Sequence, residues 1–193
     1  MPSGEFGAVV RVNPYGKTDF DHFFNPLDLR CSPYARATFR YTPLLPVLLL
    51  PMQLLPGALG PTFGKLVFSA LSSFVVPALL TSSELGASRR STHLLWTLNP
   101  MILNINTRGS SEVVLATLVL GALVLLKKGN LVTAGSVWAL SVHWKLYPII
   151  FAASIWRFLS VKNGGKWVTA SMIRFGLASA ACMGLLTGVC WSV

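Results

Sequence analysis

Residues 131–156 read LVTAGSVWALSVHWKLYPIIFAASIW. Only His143 and Lys145 interrupt an otherwise apolar run longer than the ~20 residues that span a bilayer. A charge in hydrocarbon costs a few kcal/mol, so an ionisable pair there usually marks a site. Pro148, three positions after Lys145, disturbs any helix that reaches it. The run therefore reads as an outgoing arm, a polar turn carrying His143 and Lys145, and a return arm from Ile149. On one continuous helix the two side chains would splay roughly 200° apart. The lysine suits a phosphate or, equally, an interface position from which it snorkels into water.

The rest of the chain agrees with a membrane setting. Of its 193 residues 53% are hydrophobic and 11% are charged, against about 25% charged in soluble domains. Mean hydropathy is +0.61 and the formal net charge is +10. A basic soluble protein would suggest nucleic acid, but no stretch interleaves dense bases with stacking aromatics, so no nucleic-acid partner is expected. The bases fall instead between apolar runs, as Arg89-Arg90, Lys127-Lys128, and Lys162 with Lys166. That is the positive-inside pattern, with the bilayer as partner. Cys31, Cys182 and Cys190 have no metal-ligand spacing, and the last two read as small packing residues.

Two regions are expected: 1–43, an acidic loop and amphipathic segment, and 44–193, a multi-helix transmembrane domain. Leu44–Leu59 carries Pro46, Pro51 and Pro56 and reads as a kinked or interfacial helix. Thr62–Leu80 is long enough to cross, with Lys65 near its start able to snorkel. His93–Ile105, Val113–Leu126 and Val168–Trp191 are further apolar runs. With all basic clusters on one side, the polar motifs converge on the other: Asp19-Phe20-Asp21, Arg108 to Glu112, and His143 with Lys145. Short or broken helices are tolerated where they line an enclosed cavity.

Asp19 and Asp21 could deprotonate a hydroxyl or hold a divalent cation, or they are simply a solvated acidic loop. Arg36 and Arg40 share a helical face at i, i+4, which suits phosphate recognition or an interfacial Arg/Tyr belt. Arg108 and Glu112 have the same spacing, with Ser110 or Ser111 as N-cap. This reads as a site pair or as a structural ion pair.

Taken together, "TDFD" (18–21), "SPYARATFRYTPLL" (32–45), "LNPMILNINTRGSSE" (98–112), "VHWKLYP" (142–148) and "RFGLAS" (174–179) resemble the GPI mannosyltransferase I family in content and order. The resemblance runs from about Tyr15 to about Ala180. It implies an all-α, polytopic integral membrane protein of the GT-C glycosyltransferase architecture in the endoplasmic reticulum, acting on its luminal side. It implies dolichol-phosphate-mannose as donor, glucosaminyl-phosphatidylinositol as acceptor and inversion at the anomeric carbon. Asp19 and Asp21 match the family's acidic motif and become the catalytic residues, with Asp19 the preferred base. Arg36, Arg40, Arg108, Glu112, His143 and Lys145 become the substrate-binding set. Some members of the wider superfamily use a divalent cation and others do not. The family also implies a small membrane-anchored stabilising subunit, one helix before the acidic loop and further helices after this stretch, so the chain reads as partial. Three alternatives stay open: another polyprenol-phosphate-sugar transferase, a non-catalytic truncated subunit, and a small transporter.

Overall fold

The computed structural model describes residues 42–49, 51, 55 and 59–192. Asp19, Asp21, Arg36, Arg40 and Cys31 lie outside the described residues, as does nearly all of the expected segment 1–43. Every regular element among the described residues is helical. Helix α1 is Leu44–Leu49. Helix α2 starts as Leu59–Ala70, passes through a π-helical stretch Leu71–Val75 and ends as Val76–Leu80. Helix α3, Arg89–Thr92, runs into a second π stretch, His93–Thr97. Helices α4 (Pro100–Thr107), α5 (Glu112–Lys128) and α6 (Leu131–Trp144) follow. A 3₁₀ turn, Tyr147–Phe151, leads into α7 (Ala152–Lys162), and α8 is Ala170–Ser192.

The π stretch in α2 has a local cause. Val76 N–H reaches back five residues to Leu71 O, and Pro77 has no N–H. The carbonyl of Ser72 is thereby left without a helical donor. Trp96 supplies one from α3, its Nε1 donating to Ser72 O at 3.1 Å. Asn106 of α4 donates to Ser72 Oγ at 2.8 Å. Both bonds hold the α3–α4 segment against the middle of α2.

The expected run His93–Ile105 is not one helix. Pro100 pushes the residue before it out of the α region, and Asn99 adopts φ −68°, ψ 119°. Asn99 then serves both pieces. Its Nδ2 donates to Leu95 O at the end of α3, and its Oδ1 accepts from Met101 N–H at the start of α4. The return along α2 is therefore made in two short helices.

Helix α5 is shared by two apolar clusters. Phe68, Val76 and Val113 form one, with Leu48, Leu71 and Trp96 packed on it. Leu126, Ala134, Ile155, Leu159, Met172 and Phe175 form the other. The turn from α5 to α6 is a Schellman motif, in which Gly129 N–H bonds Leu126 O and Asn130 N–H bonds Leu125 O. Gly129 has φ +87°, a conformation that costs glycine little. The turn makes α5 and α6 antiparallel, and α8 packs along α6.

The α6–α8 contact is close because Gly135 has no side chain. A Cβ there would lie 2.6 Å from Phe175 O and 2.9 Å from Ser179 Oγ. Ser179 Oγ donates to Gly135 O at 3.1 Å, and Cys182 Sγ lies 3.5 Å from Ser136 O. Trp138 and Phe175 meet as a tilted pair with ring centroids 5.7 Å apart. Cys182 and Cys190 are free and half-buried. Two stretches, Thr62–Leu80 and Ala170–Cys190, are long and apolar enough to cross a bilayer. Helix α8 also leaves Ile173, Leu177, Leu185 and Val189 exposed.

Three substitutions have stability effects that the packing fixes. Trp96→Phe leaves the Ser72 carbonyl without a donor and is expected to cost about 1–3 kcal/mol. Gly135→Ala forces α6 from α8 and is expected to cost about 1–3 kcal/mol. Gly121→Ala in α5, where a Cβ meets nothing within 4 Å, is expected to be neutral or stabilising by up to about 1 kcal/mol. Denaturant unfolding in detergent micelles measures all three, and equal behaviour of the two glycines would refute the close-contact explanation.

Candidate functional site

The fold has two chemically different ends. Lys127 and Lys128 close α5 beside the Gly129 turn, while Glu112 opens it. Helix α6 runs back from the turn to the Glu112 end and stops at Trp144. Lys145 is the first residue off that helix, extended at φ −148°, ψ 139°. This breaks the helical register, so the 200° splay between His143 and Lys145 does not apply. Pro148 does not itself terminate α6. It sits at the start of the 3₁₀ turn, where its missing N–H is of no consequence.

Leaving the helix lets Lys145 reach α5. Its Nζ forms a salt bridge with Glu112 Oε1, joining residues from two separate sequence motifs. The side chains are 27% and 37% exposed, so the pair stands at the boundary between protein and surroundings. Among the described residues Glu112 pairs with Lys145 and not with Arg108, correcting the i, i+4 expectation. The reason is that Arg108 and Gly109 form a turn after α4, with Gly109 at φ +69°, so no helix joins Arg108 to Glu112. Arg108 is left exposed. Ser111 does occupy the cap position of α5, but its side chain makes no capping bond. Glu112 stands in the first turn, where its charge also meets the positive helix end.

Tyr147 completes the group. Partial burial raises its phenol above the usual range, Glu112 adds to the rise and Lys145 opposes it. At neutral pH it is therefore an uncharged hydroxyl. His143 Nδ1 and Trp144 Nε1 are buried without a hydrogen-bond partner among the described residues. Lys65 of α2 comes to the same end, since a Cβ on Gly109 would lie 2.9 Å from Lys65 Cγ. Among the described residues no three His, Cys, Asp or Glu side chains come together as metal ligands.

The structure thus brings Glu112 and Lys145 together and adds Tyr147, with His143 in the last turn of α6 and Arg108 on the turn before α5. Sequence reading singled out neither Tyr147 nor Trp144, though both lie inside the quoted VHWKLYP. Lys65 was read only as a snorkelling residue. Chemically the cluster offers a cation oriented by a carboxylate and a neutral hydroxyl, groups suited to an anionic, hydroxyl-rich ligand.

Among the described residues, helices alone make up the regular structure, two of them are apolar and long enough to cross a bilayer, and a polar cluster stands at one end, which defines a membrane-type helical protein. Residues 105–192 match the PIG-M mannosyltransferase family, and most of the chain is similar to members of it. It is 32% identical over 179 residues to GPI mannosyltransferase 1 of Debaryomyces hansenii, covering 84% of this chain and 43% of the relative. It is 38% identical over 165 residues to GPI mannosyltransferase 1 of Aspergillus fumigatus, covering 79% of this chain and 38% of the relative. It is 40% identical over 162 residues to the GPI alpha-1,4-mannosyltransferase I catalytic subunit of Danio rerio, covering 78% and 40%. The chain spans about two fifths of the length of these curated relatives. No solved structure matches it.

A double-mutant cycle tests the ion pair. Glu112→Gln and Lys145→Met are each expected to destabilise the chain by about 1 kcal/mol, with a coupling of similar size, given the partial exposure. Additive losses in detergent unfolding would show that the two residues do not communicate.

Proposed function

We propose that this chain serves the GPI mannosyltransferase I reaction. The first mannose passes from dolichol-phosphate-mannose to glucosaminyl-phosphatidylinositol in GPI-anchor synthesis. The observation that carries the reading is the meeting of Glu112 and Lys145, residues of two motifs that both lie in the family-matched stretch 105–192. Further support comes from the separation of the two ends, which suits a multi-pass GT-C arrangement in the endoplasmic reticulum membrane. The basic Lys127 end then faces the cytosol and the Lys145 end the lumen. A small membrane-anchored subunit is the proposed partner.

The chemistry is a single displacement with inversion. The acceptor oxygen attacks the anomeric carbon of mannose while the bond from that carbon to the dolichyl phosphate oxygen breaks. The leaving phosphate takes the electron pair, and a carboxylate takes the acceptor proton. Asp19 is the proposed base, and Asp21 positions the acceptor. Charge growing on the leaving phosphate needs preorganised cations. Lys145 is the first of these, with Arg108, Arg36 and Arg40 as further donors. Glu112 holds the Lys145 side chain in place, and His143 offers a hydrogen bond to a phosphate oxygen.

Microsomes from cells that lack GPI mannosyltransferase I, expressing this chain and given labelled dolichol-phosphate-mannose, provide the test. Mannosyl-glucosaminyl-phosphatidylinositol is expected, and Asp19→Ala is expected to abolish it. Lys145→Ala is expected to lower transfer at limiting donor on the order of 100-fold. Undiminished transfer by that variant would remove Lys145 from the phosphate side. No product from a chain shown to be expressed and inserted would sink the reading for these 193 residues on their own.

A further inference from the structure

The opposite end of the molecule holds a second feature that mannose transfer does not use. A cleft of about 150 Å³ opens between α5, α7 and the loop after α2, and its walls include Leu85, Leu123, Leu126, Phe151, Ile155 and Phe158. Ser154 and Lys127 complete the lining. The cleft is half-open and mostly apolar, so part of a hydrocarbon chain can enter it from the side. Its rim is basic. Lys127 Nζ donates to Glu84 O at 2.7 Å, using one of its three protons. Lys162 Nζ stands 6.0 Å from the centroid of the Phe158 ring, which is itself part of the wall.

The surrounding charge is predominantly positive. Arg89, Arg90, Lys128, Lys166 and Arg174 are all exposed. The Gly129 turn, the end of α7 and the start of α8 are gathered at this end by the cluster of Leu126, Ala134, Leu159, Met172 and Phe175. Lys127 brings the loop carrying Glu84 to the same place. Among the described residues Glu84 is the one acid at this end.

We infer that this cleft is a binding site for an anionic phospholipid. One acyl chain lies between α5 and α7, and the phosphate-bearing headgroup sits on Lys127 and Lys162. Basic pockets between helices at the positive end of membrane proteins hold anionic headgroups in this way. The apolar wall selects a lipid over free phosphate, and the two lysines select an anionic lipid over a zwitterionic one. The inference uses the membrane placement proposed above but neither the transfer reaction nor its residues.

Native mass spectrometry on the full chain, purified in a neutral detergent and stripped of lipid, tests it. Phosphatidylserine is expected to bind at least tenfold more tightly than phosphatidylcholine of the same acyl composition. Millimolar inorganic phosphate is expected not to displace it. The K127Q/K162Q double variant is expected to bring phosphatidylserine down to the phosphatidylcholine level. Ser154→Trp, which fills the cleft from an exposed position, is expected to weaken both lipids at least fivefold. Equal retention of the two lipids by the wild-type chain overturns the inference. So does displacement by phosphate, or a Ser154→Trp variant that binds as before. As a readout free of variants, a lipid with a diazirine in its acyl chain is expected to label α5 or α7 of the wild-type chain. Labelling confined to α8 overturns the proposal.

Discussion

Buried backbone polar groups in this chain must find partners inside the protein, because apolar surroundings offer none. That constraint shapes the described fold more than any single apolar contact. Pro77 deprives the Ser72 carbonyl of its helical donor, and the indole of Trp96 repairs the loss from a neighbouring helix. Asn99 closes one helix and opens the next with a single side chain. The single Ser179 hydroxyl proton is shared between Gly135 O across the α6–α8 interface and Phe175 O in its own helix. Each bond is worth little net, but leaving its carbonyl or amide unpaired would cost several times more.

The same constraint separates the ends. Where helices stop, their polar groups and flanking charges collect. Helix α5 carries Glu112 at its start and two lysines at its finish, each sign at the end of the helix dipole that favours it. One end thus acquires the Lys145–Glu112 bridge and Tyr147. The other acquires the basic rim around an apolar cleft. The two proposed ligands, a sugar donor with a lipid phosphate and an anionic phospholipid, differ in chemistry, as do the two ends of the molecule.

Much of this was legible in the residues. The apolar runs, the basic pairs between them and the break in the apolar run near Lys145 followed from composition and hydropathy, although His143 proves to lie within α6. The long helices and the end-to-end separation of Lys127 from Lys145 agree with that reading. Local rules failed where a choice depended on a distant partner. Arg108 and Glu112 have ideal helical spacing, but Gly109 ends one helix before Glu112 begins the next. The run from His93 to Ile105 is continuously apolar, and hydropathy does not register the break that Asn99-Pro100 imposes.

The sequence by itself determined the helical, membrane-type character of the chain, the spacing of basic clusters between apolar runs and the motifs shared with the PIG-M family. These depend on composition and on short-range patterns that survive in any arrangement of the helices. Only the tertiary structure decided that Lys145 leaves α6 to meet Glu112, that Trp96 serves Ser72, and that Lys127 and Lys162 flank one apolar cleft. Those pairings join residues far apart in the chain. Which of several chemically acceptable partners each side chain takes is set by the packing of α5 against its neighbours, and no local pattern encodes it.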